Sequence, residues 1–225
     1  MDQNRPVYLL SILGKLKPKT LEAASSIHNQ TAGAPAGVAA ARSLGDLSHM
    51  VYIPVDHTGP QSGEFLILDL WNNLEGLNQF FADHQVQEGG NLIFTERDPV
   101  VWQPADDFAS YHLPAPYGKN DRLVGVVRGR VRSRAEALAM HNGLVGGAVN
   151  QARAAGNLSH EAYFRLAPPG SPEALDFCAV DVWMDGQGMG AYYGNPEFMP
   201  ALMKMFAAEP MATVWAHPAG QWVEW

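Results

Sequence analysis

The chain has 225 residues, 15 basic against 23 acidic, for a net charge of −8 at neutral pH, and 47% of its residues are hydrophobic. That is the balance of a globular chain whose acidic surface repels a phosphate backbone, so nucleic acid is not an expected partner. No apolar run approaches the roughly 18 residues a spanning helix needs, residues 1–6 lack the basic-then-apolar order of a secretory signal, and the lone Cys178 excludes an intrachain disulfide or a cysteine-rich metal site, which together imply a reducing cytoplasm.

In chain order, Val7–Leu13 is an apolar run of strand length, and Leu123–Val131 matches it. A helix follows, capped by Thr20 in one place and Ser133 in the other; Ser133-Arg134-Ala135-Glu136 fits the capping box. Gly33-Ala34-Pro35 and Gly146-Gly147 interrupt that helix, and a second segment (38–44; 149–155) ends at Gly45 or Gly156 as a C-cap. Strand two is read as His49–Val55 and His160–Leu166, and strand three as Phe65–Trp71 and Phe177–Trp183. Asn72 or Asp185 caps a second helix, with Leu74, Leu77, Phe80 and Phe81 on its buried stripe. Val100–Trp102 and Thr213–Trp215 make strand four.

Every element therefore occurs twice. His28-Asn29 recurs as His141-Asn142, Leu47-Ser48-His49 as Leu158-Ser159-His160, and Asp69-Leu70-Trp71 as Asp181-Val182-Trp183, at separations of 113, 111 and 112 residues. Two diverged copies of a unit of roughly 100 residues are implied, with boundaries at 5–104 and 122–225 and a proline-rich linker at 105–121. The order β-α-β-β-α-β is that of a ferredoxin-like unit. Strand three is apolar on both faces, which asks for two covers. Helices supply one; the second copy's sheet is the economical candidate for the other. The expected fold is α+β, two tandem ferredoxin-like units packed sheet to sheet as an intramolecular dimeric α+β barrel.

The strand-three signature, Asp69-Leu70-Trp71-Asn72-Asn73-Leu74-Glu75 and Asp181-Val182-Trp183-Met184-Asp185, resembles the dimeric α+β barrel superfamily, in particular its antibiotic-biosynthesis-monooxygenase-like branch. The resemblance covers nearly the whole chain. Members often carry a histidine late in helix two, where this chain has Phe80-Phe81 and Tyr192-Tyr193. Activities in the superfamily include cofactor-free oxygenation, isomerisation, haem handling and no catalysis, so the resemblance sets the fold more firmly than the reaction.

Asp69 and Asp181 share a strand face with Phe65, Ile67 and Trp71 or their counterparts, and a carboxylate cannot enter a dry helix interface alone. That face is therefore expected to look into the barrel cavity, with Asp69 and Asp181 as catalytic candidates and a structural carboxylate as the ordinary alternative. His49 and His160 sit at the start of strand two as general-base candidates or, more ordinarily, as structural bonds to a helix end. Trp71, Trp183, Tyr192, Tyr193, His28 and His141 are candidate substrate-binding residues, and His-Asn pairs at a helix break also serve to satisfy free backbone groups. The alternation Lys15-Lys17-Lys19, matched by Arg128-Arg130-Arg132, reads as an anion dock or as solvated strand-end charge.

No local histidine pattern matches a metal site. The expectation is a small-molecule enzyme acting by oxygenation or isomerisation of an aromatic or polyketide-like substrate, without a tightly encoded cofactor. The alternatives are a non-catalytic binding or assembly module and a haem-binding protein, and a homodimer of the tandem unit is a further expectation. A cavity of several hundred Å3 would favour the enzyme and a filled interior the module. The glycines at 186, 188, 190 and 194 weaken helix two of the second copy, which places the expected opening there, beside Asp181, Tyr192 and Tyr193.

Overall fold

The first apolar run becomes strand β1, Tyr8–Leu16, whose inward positions are nearly all buried. In the computed structural model, which describes residues 6–111 and 122–225, β1 leads to helix α1, Leu21–Gln30, where the Thr20 hydroxyl accepts from the Ala23 amide (3.1 Å) as an N-cap. Helix α2, Pro35–Leu44, starts with proline at its first turn and ends at left-handed Gly45 (φ 110°). Strands β2 (Asp46–Pro54) and β3 (Glu64–Trp71), helices α3 (Leu74–Ala82) and α4 (His84–Ile93) and strand β4 (Phe94–Pro104) complete the first copy. The second copy runs β5 (Leu123–Arg130), α5 (Arg134–Leu144), a short 3-10 turn, α6 (Val149–Ala154), β6 (Asn157–Arg165), β7 (Asp176–Trp183), α7 (Gly186–Tyr193), α8 (Phe198–Met203) and β8 (Met211–Ala216). The fold is the expected α+β one: tandem ferredoxin-like units whose eight antiparallel strands form a closed barrel.

Two compact units are present, Met1–Gln103 with Pro218–Trp225 (unit 1) and Pro104–His217 (unit 2). The expected boundaries differ at both ends of this division. Ala105 and Tyr111 donate backbone bonds to Ala162 and His160 of unit 2, so the start of the supposed linker is a strap of that unit; its remainder, 112–121, lies outside the described residues. The last eight residues form the matching strap of unit 1, where His49 and Trp225 exchange backbone hydrogen bonds at 2.8 and 3.2 Å.

Within unit 1 the sheet order is β4-β1-β3-β2, and within unit 2 β8-β5-β7-β6. Strand β2 starts three residues earlier than its apolar pattern indicates, because Asp46 pairs with Trp71 across a bulge; β6 repeats this with Asn157 and Trp183. Strand β4 starts at Phe94 rather than Val100, since Phe94 and polar Glu96–Asp98 still pair with β1. Asn73, not Asn72, is the N-cap residue of α3, whereas Asp185 caps α7 as expected by accepting from the Gly188 amide (2.8 Å).

The face of β3 that carries Phe65, Ile67, Asp69 and Trp71 is the helix side of the sheet. Phe65, Ile67 and Trp71 cluster with Ala24 of α1, Ala41 of α2, Leu77 of α3 and Ile93 of α4. The expectation that this face looks into the barrel is therefore overturned. A neighbouring histidine, rather than solvent or a barrel lumen, is what makes the carboxylate tolerable there. Gly188 also has a use the sequence reading missed. A Cβ on it would lie 1.7 Å from the Ala155 carbonyl, as one on Gly76 would lie 1.8 Å from that of Leu44, so close helix crossing requires glycine in both units.

Candidate active site

Strand register builds the site. His49 stands directly opposite Asp69, and His160 opposite Asp181, and such cross-strand neighbours are close enough to bond. His49 Nδ1 lies 2.7 Å from Asp69 Oδ1, and its Nε2 lies 2.9 Å from Nε2 of His28 on α1. His28 Nδ1 in turn meets Asn29 Oδ1 at 3.1 Å. Asn29 is oriented by the strap: its Nδ2 donates to the Gln221 carbonyl and its Oδ1 accepts from the Val223 amide, both at 2.8 Å.

This orientation fixes the protons along the chain. An Asn29 oxygen facing His28 requires His28 to donate through Nδ1, so its Nε2 accepts. His49 must then donate through Nε2, and it donates through Nδ1 to the Asp69 carboxylate, which makes it an imidazolium. Burial disfavours that charge, but Asp69, with Asp46 and Glu224, outweighs the burial and holds the His49 pKa above its usual value. Burial and the neighbouring His49 charge push His28 down to about 4, so it stays neutral. Trp225 stacks on His49 with ring centres 4.7 Å apart, and Trp222 packs 5.3 Å from His28.

Unit 2 repeats the network. His160 Nδ1 lies 2.8 Å from Asp181 Oδ1, its Nε2 lies 2.9 Å from His141 Nε2, and His141 Nδ1 lies 3.2 Å from Asn142 Oδ1. Asn142 grips its strap through the Asp107 carbonyl and the Ala109 amide, both at 2.7 Å. Burial and His160 push His141 to about 4.

What lies above the network differs. In unit 1 a cavity of about 930 Å3 has His28, Asp46, His49, Asp69 and Trp225 at its polar end and Ile12, Leu77, Phe80 and Phe81 among its apolar walls. It reaches solvent between the helices, where exposed Gln30, Ala36, Ala40 and Gln79 line it. Arg97, bonded to Gln87 Oε1 at 2.6 Å, is a cation on its lining. The corresponding space in unit 2 is about 30 Å3, filled by Tyr111, Tyr192, Tyr193, Phe198 and Leu202. The Tyr193 hydroxyl donates to Asp181 Oδ2 (2.8 Å). The expected opening beside Asp181, Tyr192 and Tyr193 is thus corrected: the larger space is in unit 1, and the tyrosines close unit 2.

Of the candidates taken from sequence, the structure joins His28, His49 and Asp69 in one network and His141, His160, Asp181 and Tyr193 in the other. Trp71 is fully buried core and does not line the cavity; Trp183 is equally buried and packs on Tyr192 and Tyr193. The cationic strand ends are ion-paired, Lys15 with Glu96 (2.7 Å) and Arg130 with Asp176 (2.8 Å), which supports the solvated-charge reading. Haem ligation does not fit the cavity, because both ring nitrogens of His28 and of His49 are already engaged by protein partners.

Sequence reasoning missed Asp46. It is 5% exposed, its Oδ2 accepts from Trp225 Nε1 at 3.2 Å, and its Oδ1 has no hydrogen-bond partner. Burial, then the Asp69 charge, push its pKa up to about 7, against smaller opposing effects of His49, Trp225 and the Ser48 amide. Its counterpart in unit 2 is Asn157. The available signal was the Asp46/Asn157 contrast inside an otherwise repeated segment.

The sequence matches no protein-family model and no curated protein. Solved structures do match it in shape. A candidate monooxygenase from Fusobacterium nucleatum superposes with a TM-score of 0.66 at 10% identity, over 95% of this chain and 93% of that one. An anthrone oxidase-like protein gives 0.63 at 15% identity, over 98% and 94%. A ferredoxin-fold protein related to antibiotic biosynthesis monooxygenases, from Listeria monocytogenes, gives 0.53 at 8% identity, over 96% of each chain. Identities this low establish a shared fold.

Proposed function

With the fold of the dimeric α+β barrel superfamily as premise, we propose that this protein is a small-molecule enzyme whose reaction chamber is the unit 1 cavity. The observation that carries the reading is the contrast between about 930 Å3 in unit 1 and about 30 Å3 in unit 2 above the same buried network. A cavity of that size suits a ligand of drug-like dimensions, and apolar walls with a few convergent polar groups are the usual composition of such sites. Its aromatic walls favour an aromatic or polyketide-like substrate.

The polar end suits proton transfer. Asp69 and His49 hold a fixed charge pair at the base of an apolar space, where a low dielectric strengthens their action on a substrate that becomes anionic. Loss of a proton from a weakly acidic carbon gives an enolate. Reprotonation at another carbon would complete an isomerisation, and reaction with dioxygen an oxygenation. Unit 2, with its interior filled, is read as the non-catalytic half, so the alternative of an assembly module applies to that half. Asp181, His160 and His141 then hold structure.

One solved structure of the same fold is called anthrone oxidase-like, which makes anthrone a reasonable first substrate. Its oxidation to anthraquinone consumes one dioxygen, one atom entering the ring carbon and the other leaving as water. Oxygen uptake with anthrone should be accelerated by the wild-type protein and lost in Gly90→Leu, which carries into unit 1 the Leu202 side chain that fills unit 2. Uptake unaffected by that substitution would place the chemistry elsewhere.

A further inference from the structure

We infer that Asp46 is the group that takes the proton from the substrate, and that the substrate offers it a neutral, weakly acidic C–H bond in a largely apolar molecule. The inference rests on reading the unit 1 cavity as the reaction chamber, and goes beyond it by naming the base.

A base needs an unoccupied lone pair within reach of the substrate. The imidazoles do not have one. His28 spends Nε2 on His49 and Nδ1 on Asn29, and His49 spends its two nitrogens on His28 and Asp69. Asp46 lines this cavity and its Oδ1 has no partner among the described residues; that oxygen is buried in this structure, so the carboxyl must turn to present it to a substrate. Trp71 Nε1, on the residue paired with Asp46 across the strands, is also without a partner, so the two groups do not satisfy each other.

Unit 2 shows what a purely structural residue does at this position. Asn157, with its amide turned to suit its neighbours, donates to the Ser159 carbonyl (3.2 Å) and the Tyr111 hydroxyl (2.8 Å) and accepts from Trp183 Nε1 (3.3 Å). The neutral, fully bonded amide accompanies the filled interior; the carboxyl with a free oxygen accompanies the open one.

The surroundings of Asp46 suit the task. The ionisable groups acting on it are Asp69 on β3 and His49 on its own strand, with Trp225 Nε1 donating from the strap. The helices contribute Leu44, Leu77, Phe80 and Phe81 to the cavity, none of which titrates, and His28 of α1, which is held neutral; Asp83 and Arg97 also line it. Burial and the Asp69 carboxylate raise the Asp46 pKa to about 7, which matches a base to a neutral medium. The same pair of carboxylates disfavours an anionic substrate at this end. In the step itself the substrate C–H bond breaks, the proton passes to the Asp46 carboxylate, and the electron pair remains on the substrate as an enolate beside the His49 charge.

The test uses 2-tetralone, a neutral bicyclic ketone with an acidic benzylic methylene, dissolved with the full-length protein in deuterium oxide. Methylene exchange is followed by NMR, and cavity binding is followed separately with the neutral fluorophore N-phenyl-1-naphthylamine. Wild type should bind the fluorophore and accelerate exchange, with a rate that rises with pH to a plateau and is half-maximal near the Asp46 pKa of about 7. Asp46→Asn should bind the fluorophore as wild type does and lose exchange by about 100-fold, a typical contribution of a positioned base. Exchange retained in Asp46→Asn would overturn the assignment, and so would a wild-type protein that binds without catalysing exchange. A flat wild-type pH profile would overturn it without recourse to any variant. Failure of wild type to bind the fluorophore would instead remove the reading of the cavity on which the assignment rests.

Discussion

Units 1 and 2 share a buried Asp–His–His–Asn chain and differ in what surrounds it. Asp46 faces Asn157 in the alignment, Phe81 faces Tyr193, Gly90 faces Leu202, and Trp225 faces Tyr111. The network keeps nearly the same distances in an open unit and in a filled one. Its shared task is therefore structural: it ties α1 or α5 to the sheet and, through Asn29 or Asn142, to the strap. Function is to be sought where the copies diverge. A duplicated chain contains its own control, since the closed half displays the fold without the chamber.

The largest expected effect tests what the halves have in common. Trp71 and Trp183 are both fully buried against the helices, so Trp71→Ala and Trp183→Ala should each cost about 3–5 kcal/mol in urea denaturation, as large aromatic truncations do. A loss confined to one of them would show that the two cores are not equivalent.

The next concerns the tyrosine that closes unit 2. Tyr193→Phe removes a donor from the buried Asp181 carboxylate and should destabilise by about 1.5–3 kcal/mol, the usual worth of a bond to a charged group. Phe81 already lacks that hydroxyl in unit 1, and Phe81→Leu, which keeps an apolar wall, should leave the acid–base behaviour of its network unchanged. An unaltered Tyr193→Phe stability would remove the polar part of the closure.

A smaller effect distinguishes the units by pH. A folded carboxyl whose pKa is raised from 3.8 to about 7 keeps a proton that the unfolded chain has already lost, so Asp46 makes stability fall as pH rises through that window and adds no further change above it. Asp46→Asn should therefore be more stable than wild type, by a margin that grows from pH 4 to 7 and then levels. On the acid side the units behave alike. His28 and His141, lowered from 6.5 to about 4, resist protons that the unfolded chain binds, so both lower stability as pH falls from 6.5 to 4. A pH-independent Asp46→Asn difference would contradict this.

Much of the fold was legible in the sequence. The repeat, the caps at Thr20, Ser133 and Asp185, and the left-handed glycines at 45 and 156 follow from local chemistry that tertiary packing did not override. The site was less so. Asp69 and Asp181 were assigned to the wrong face because a lone carboxylate among apolar residues suggests a wet cavity, whereas the pairing that places a histidine opposite each is a long-range fact. The straps were hidden because Pro104-Ala105 and Pro218-Ala219, 114 residues apart, read as loop until their packing is seen. Asp46 was passed over because it precedes the apolar alternation of its strand. The Gly90/Leu202 exchange carried a size signal that only a view of the cavity interprets.

The central claim is that one unit holds the binding chamber and the other is closed, and counting sites tests it most directly. Fluorescence titration with N-phenyl-1-naphthylamine should give one site per chain in wild type, one site in Leu202→Ala, and none in Gly90→Leu. The Gly90→Leu protein should be no less stable than wild type, because leucine is favoured over glycine in a helix by up to about 1 kcal/mol and the group its side chain meets is the movable Arg97 guanidinium. Two sites per chain, or one site that survives Gly90→Leu, would contradict the account.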